Sequence, residues 1–322
     1  MGLGNEHRVR LDPWAPEYDS ALQLLEGGAE AQADVDTRIE TDAWRALRPA
    51  PEPLPERIAF VDGVRRVETR LLVERGEETL FGLLGSIGVG AVETDGAARV
   101  TDPSVTRLCC AGGGLSLTDF DAVTRGSLLS FVPEPVPENT PMAPLQGLQN
   151  AMRRREAELA ERLAGSVDVV FLDGPLTFLG SAHGPVLGFV KRLVRSYLQP
   201  PHSGLLPRLG LGERTPLFLV KDARHPRYSW YTRVGHGRAV DSALAGVVRL
   251  ETMTGLALDT VRKLADASAR LLPRFASHPA RDPRAPQNLV PIGGLEATLR
   301  HLLGDPLIVR RAIEAHLHGA LV

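Results

Sequence analysis

The 322-residue chain reads as an α/β protein, a mixed β-sheet with helices on its faces. Three observations predict this. β-type segments at 57–62, 67–75, 80–93 and 98–110 follow one another across short polar breaks. A helical periodicity over 145–163 then leads into the apolar run Val169–Leu172. From there, strand and helix patterns alternate towards the C-terminus.

The N-terminal stretch 17–48 predicts helix, from Leu22, Leu24, Leu25, Val35, Ile39, Trp44 and Leu47 among many Ala and Glu. The linker RPAPEPLPE (48–56) follows, so residues 1–56 read as a helical extension with a proline-rich linker, and 57–322 as the main domain. Thr94-Asp95-Gly96 is placed for a hairpin turn. FVPEPVPENTP (131–141) reads as a spacer within the domain rather than a boundary. Further on, a helix is expected around Val186–Leu198 and strands at Leu217–Lys221, Tyr228–Val234 and Ala245–Glu251. A helix at 258–275, the loop SHPARDPRAPQN and two short C-terminal helices complete the chain. No internal repeat is visible.

Hydrophobic residues make up 43% and charged residues 24% of the chain, ordinary values for a globular protein with a sizeable core. No apolar run approaches the roughly 20 residues of a membrane span. The start, MGLGNEHRVRLDPW, has no apolar signal region, so a cytoplasmic location is expected. With a net charge of −2, nucleic-acid binding would need a local basic patch rather than an overall field. The adjacent Cys109 and Cys110 suit core thiols, since two cysteines cannot build a tetrahedral zinc site.

Chemistry gathers on three acids. RIAFVDGV (57–64) and VDVVFLDGP (167–175) are each an apolar strand closing in Asp-Gly, at Asp62 and Asp173. One Asp-Gly is usually a turn. Two of them, each on a run too apolar for a sheet edge, suggest a functional site beyond the strand ends, because a buried charge needs a partner. Asp168, earlier in the second run, has no assigned role. In LQGLQNAMRRREAELAERL the apolar stripe Leu145, Leu148, Met152, Leu159 and Leu163 includes Glu156, while Glu158 and Glu161 project away. Glu156 is either paired with Arg or Lys, or reaches a metal near the sheet; Arg153, Arg154 and Arg155 lie mostly off the stripe. Three acids at one spot repel unless cations sit between them, and carboxylate oxygens suit Mg²⁺ or Mn²⁺. Such a cluster serves two-metal phosphodiester hydrolysis. Lys191, in GPVLGFVKRLVRSYL, is placed to hold a phosphate or polarise water, or is a surface lysine.

Other chemistries find little support. The chain has no GxGxxG, no GxxxxGK[ST] and no GxSxG, which argues against a dinucleotide site, a P-loop and a serine-hydrolase elbow. His202, His225 and His236 lack metal-ligand spacing and read as loop residues. DARHPR (222–227), with Arg233 and Arg238, offers a local phosphate-contacting patch.

Taken in order, FVDG (60–63), the Arg-Arg-Arg-Glu helix, VVFLDGPL (169–176), GFVKR (188–192), YSWYTRV (228–234) and VVRLE (247–251) resemble the NurA nuclease family. The likeness runs from about residue 57 to the C-terminus. The resemblance implies an RNase H-like core and a Mn²⁺- or Mg²⁺-dependent deoxyribonuclease with two ions. It also implies a homodimer around a DNA channel, working with the HerA hexameric ATPase on DNA ends in double-strand-break repair. The implied activity is exonucleolytic, with single-strand endonuclease activity as an addition; the alternative is an RNase H-like binding module that has lost its chemistry. Carried over by residue, the metal ligands are Asp62, Glu156 and Asp173, and Lys191 acts beside them. Tyr231 and Arg233 support the site or contact DNA. The family's last ligand is a C-terminal histidine, which His301 matches, with Glu296 as the other occupant of that place. Val64 stands where the family usually has a small hydroxyl residue.

Overall fold

The computed structural model describes residues 8–11, 34–124, 126–180, 184–191, 193, 197–222, 225–238 and 241–321. In chain order the strands are β1 (Arg8–Leu11), β2 (Asp34–Asp36), β3 (Ile58–Arg75), β4 (Glu78–Thr94), β5 (Ala98–Ala111), β6 (Phe120–Thr124) and β7 (Ser127–Pro135). Helix α1 (Ala143–Leu163) leads to β8 (Val169–Asp173), β9 (Val186–Val190), β10 (Phe218–Lys221), β11 (Arg227–Arg233) and β12 (Val247–Met253). Helices α2 (Leu258–Leu271), α3 (Val290–Leu302) and α4 (Pro306–Leu321) follow.

All twelve strands form one sheet, ordered β2-β10-β11-β12-β9-β8-β3-β4-β5-β7-β6, with β1 paired to the distal half of β3. β3, β8 and β9 are parallel neighbours, whereas β3, β4 and β5 form an antiparallel meander. The β4–β5 turn falls at Asp95–Ala97, where the sequence places it. No described helix is long and apolar enough to cross a membrane.

Side chains alternate between the faces of a strand, so neighbouring residues enter different cores. Val61, Val170 and Leu172 meet Leu145, Leu148, Met152 and Leu159 of α1 on one face. On the other, Phe60, Phe171, Phe189 and Trp230 meet Val261 and Leu264 of α2 and Ile292 of α3. Phe60 and Phe171 stack with centroids 5.4 Å apart; burying each such ring contributes about 1.5–3 kcal/mol. A third cluster lies between α4 and the distal parts of β3, β4, β5, β6 and β7. Cys109 and Cys110 are both buried, and burial pushes the Cys109 thiol up to about 12.

Several expectations are corrected. Val186–Val190 is a strand, not the start of a helix, because it pairs on both sides, with β8 and with β12. A central strand buried on both faces carries no alternation to tell it from a buried helix. Residues 34–48 are not helical. Asp34–Asp36 pairs with the edge of β10, and Glu40 accepts hydrogen bonds from Arg214 and from the Leu217 backbone, which hold the following segment extended along the sheet. The rest of the expected N-terminal helix, 17–33, lies outside the described residues. Asp62-Gly63 does not end a strand, since β3 continues through it to Arg75. The first part of the proline-rich 131–141 stretch belongs to β7, which pairs with both β5 and β6.

Candidate active site

Parallel pairing of β3 and β8 aligns Val61 with Leu172. The next residue on each strand is an aspartate, so Asp62 and Asp173 emerge side by side. Alternation turns both to the face carrying α3, away from α1. There Glu296, in the second turn of α3, completes a group: ligand oxygens of Asp62, Asp173 and Glu296 lie within 4.8 Å of one another. All three residues are buried, at 5%, 9% and 5% exposure.

Burial, and then repulsion from Asp173 and Glu156, hold the Asp62 carboxyl well above the usual carboxylate range. Glu296 adds to this, while Lys191 pulls the other way. Lys191 sits just past β9, with Nζ 2.5 Å from Asp173 Oδ2 and donating to Asn288 Oδ1 at 2.8 Å. Glu296 is gripped by Arg284, with Nη1–Oε1 at 2.7 Å and Nη2–Oε2 at 3.0 Å, and by Arg300 at 3.1 Å. The acids floor a cleft of about 1110 Å³ whose walls carry Arg65, Arg153, Arg238, Arg284 and Arg300.

Glu156 approaches from the opposite face of the sheet. Its carboxylate lies over Gly63, where an added Cβ would come within 2.5 Å of Oε1, so only glycine beside Asp62 leaves it room. Arg153 bonds Glu156 Oε2 at 3.0 Å and also donates to the Asp173 carbonyl. One guanidinium thus ties the helix glutamate to the main chain of the second aspartate. It packs beneath Gly174, which turns the chain at φ +110°, a conformation L-residues rarely adopt. The local ion pair discounted on helical phase therefore exists. Glu156 contributes charge close to Asp62 without joining the mutually close trio.

His301 is not brought to the site. It follows Glu296 by five residues, about 140° further round α3, and is exposed. Of the two residues offered for that place, Glu296 is the one that stands beside Asp62 and Asp173. Tyr231 and Arg233 are buried and away from the cleft wall. Arg233 donates to the carbonyls of Leu209, Ala243 and Ala245, and so shapes the 241–245 turn that lines the cleft. Asp168 accepts from the backbone N–H groups of Glu56 and Arg57, tying the start of β8 to the chain leading into β3.

No protein-family model and no curated protein matches this chain. Its backbone is similar to the crystal structure of the NurA nuclease from Sulfolobus solfataricus, with 13% identity and a TM-score of 0.48 over 86% of this chain and 88% of that one.

Sequence reasoning missed Arg153, Asp282, Arg284 and Asn288. Arg153 was hidden by its helical phase, because a long side chain reaches round a helix to a neighbour three residues on. The other three stand in RDPRAPQN, where alternating acid, base and amide just before a helix is the signal that could have found them. As a donor set, three buried carboxylates from three separate elements fit a hard divalent cation. Lys191, Arg284 and Arg300 offset the three acids, and Arg65 and Arg238 add positive charge to the cleft wall for an anionic substrate.

Proposed function

We propose that this protein is a divalent-metal-dependent deoxyribonuclease of the NurA type, with an RNase H-like core. The observation that carries the reading is the convergence of Asp62, Asp173 and Glu296 within 4.8 Å on the floor of an open, arginine-lined cleft. The sheet run β5-β4-β3-β8-β9, with acids on its central strand, on a helix and on a later strand, supports the RNase H-like reading.

Asp62, Asp173 and Glu296 would hold Mn²⁺ or Mg²⁺, with Glu156 adding negative charge from behind Gly63 or serving a second ion. Bound there, the metal supplies Lewis-acid activation of the phosphodiester and of water. The chain's own residues do the rest. Arg238 and Arg300 face the cleft and attract the phosphate backbone. Lys191, beside Asp173, places a positive charge next to the reacting phosphate. Arg284 keeps Glu296 aimed at the trio. The substrate reading is DNA ends in double-strand-break repair, cut exonucleolytically with single-strand endonuclease activity in addition. A HerA-type hexameric ATPase would feed the DNA to a homodimer of this chain in the cytoplasm.

A Mn²⁺-supplemented assay on labelled DNA tests the reading. Metal activation is worth several kcal/mol of transition-state stabilisation, so Asp62→Ala and Asp173→Ala should each lose roughly 10²–10³-fold in kcat/KM. Equal activity in the unsubstituted chain and both variants would sink the assignment. An inert unsubstituted chain that still binds DNA would favour the non-catalytic module.

A further inference from the structure

The trio is joined at its back by a continuous chain of side chains. Lys191 Nζ, 2.5 Å from Asp173, donates to Asn288 Oδ1 at 2.8 Å. Asn288 Nδ2 donates to Asp282 Oδ2 at 2.6 Å. Asp282 pairs with Arg284 through Oδ1 to Nε and Oδ2 to Nη2, both at 3.2 Å. Arg284 then grips Glu296. The path therefore starts and ends on acids of the same trio, and its charges alternate in sign except at one neutral link, Asn288.

We propose that Asn288 is a positioning residue for the metal site: it fixes the Lys191 ammonium against Asp173 and, through Asp282 and Arg284, fixes the carboxylate of Glu296. This rests on reading Asp62, Asp173 and Glu296 as metal ligands. A primary amide suits the position because it accepts from a cation on one side and donates to an anion on the other. Carboxylate in its place would still accept from Lys191 but would face Asp282 as a like charge. A hydrocarbon would leave a partly buried lysine and a largely buried aspartate each short of a partner. Asn288 is fully buried, so it cannot touch substrate. Without it, the four-carbon stem of Lys191 lets the ammonium move off Asp173, and Asp282 is no longer held against Arg284.

The loop itself does not depend on this side chain. Main-chain bonds Ser277 N to Asn288 O (2.9 Å), Asn288 N to Arg284 O (3.1 Å) and Ala285 N to Asp282 O (3.0 Å) hold it closed. Substitution at 288 should therefore perturb charge placement more than backbone.

The test is calorimetric titration of the full chain with Mn²⁺, paired with kcat and KM on a short DNA duplex. Asn288→Asp should weaken Mn²⁺ binding and lower kcat by about tenfold each, the lower range for partners that orient metal ligands. KM should stay within about twofold, because uniform substrate binding is untouched. Exchanging the pair, Asp282→Asn with Asn288→Asp, sets a donor against an acceptor again and should recover most of both losses; a merely structural role would make the double variant worse than either single one. Unchanged Mn²⁺ affinity and kcat in Asn288→Asp would overturn the proposal, as would a double variant with no recovery. If Asn288→Asp does not fold, Asn288→Ala, which removes both bonds without adding charge, carries the same expectation. Absence of Mn²⁺ binding and activity in the unsubstituted chain would contradict the metal-site reading itself, an outcome distinct from failure at Asn288 alone.

Discussion

At the scale of single residues, Asp62 carries a heavy electrostatic load. It is buried beside Asp173, Glu156 and Glu296, and its proton is held more tightly in the folded chain than in the unfolded one. A carboxyl raised in this way contributes stability that is complete below its unfolded value, near 4. That stability is lost as pH rises through the folded value. The metal-free protein should therefore lose stability as pH climbs above about 4, and Asp62→Asn should flatten that slope. At neutral pH Asp62→Asn should raise the melting temperature of the metal-free chain while sharply lowering cleavage, because it removes a carboxylate crowded by Asp173 and Glu156. Thermal melts with chelator across pH 4–8 check this; a variant that melts lower than the parent at pH 7 would contradict it. Asp62 and Asp173 were legible in the sequence because each follows an apolar run, and burial of a charge is anomalous on its face. Glu296 was legible only as one of two candidates. Choosing it over His301 needs the rotation of α3 about its axis against the sheet, which helical spacing within α3 alone does not fix.

At the scale of elements, β3 does two jobs. Its first half carries Phe60 and Asp62 in the parallel core, and past a register shift between Val67 and Thr69 its second half turns to the α4 cluster. Glu68 sits at that shift, buried, accepting from Ser86 Oγ at 2.5 Å and from Arg66 Nε at 3.1 Å and pairing with Arg107 at 3.5 Å. Arg66 and Arg107 both reach the carbonyl of Leu303, and Arg66 also reaches that of Gly304, so Glu68 anchors the C-terminal end of α3, whose second turn bears Glu296. Glu68→Ala leaves two arginines largely buried without their acid and should cost about 3–5 kcal/mol, read by urea denaturation. A loss below about 1 kcal/mol, the level of an exposed pair, would contradict the anchoring role. Elements with their own periodicity, α1 and the β3–β5 meander, were readable from sequence. β9 and the segment at 34–48 were not. Val186–Val190 is apolar throughout and becomes a strand only because β8 and β12 flank it. The 34–48 segment is held by Arg214 and β10, partners more than 170 residues away in the chain.

At the scale of the molecule, three elements distant in sequence must close on one point for the acids to meet: residues 62, 173 and 296 come together only when the sheet and α3 have docked. A cation bound at that point stabilises the folded chain and not the unfolded one. Mn²⁺ at a hundred times its dissociation constant should add about 2.7 kcal/mol, seen as a rise in melting temperature that EDTA reverses and that Asp173→Ala abolishes. A rise of equal size in Asp173→Ala would place the ion elsewhere. The most direct measurement is anomalous diffraction from crystals soaked in Mn²⁺. The expectation is a peak between the carboxylates of Asp62, Asp173 and Glu296, about 2.0–2.3 Å from their oxygens, with His301 remote from it. A saturating soak that leaves no peak among those three carboxylates would contradict it.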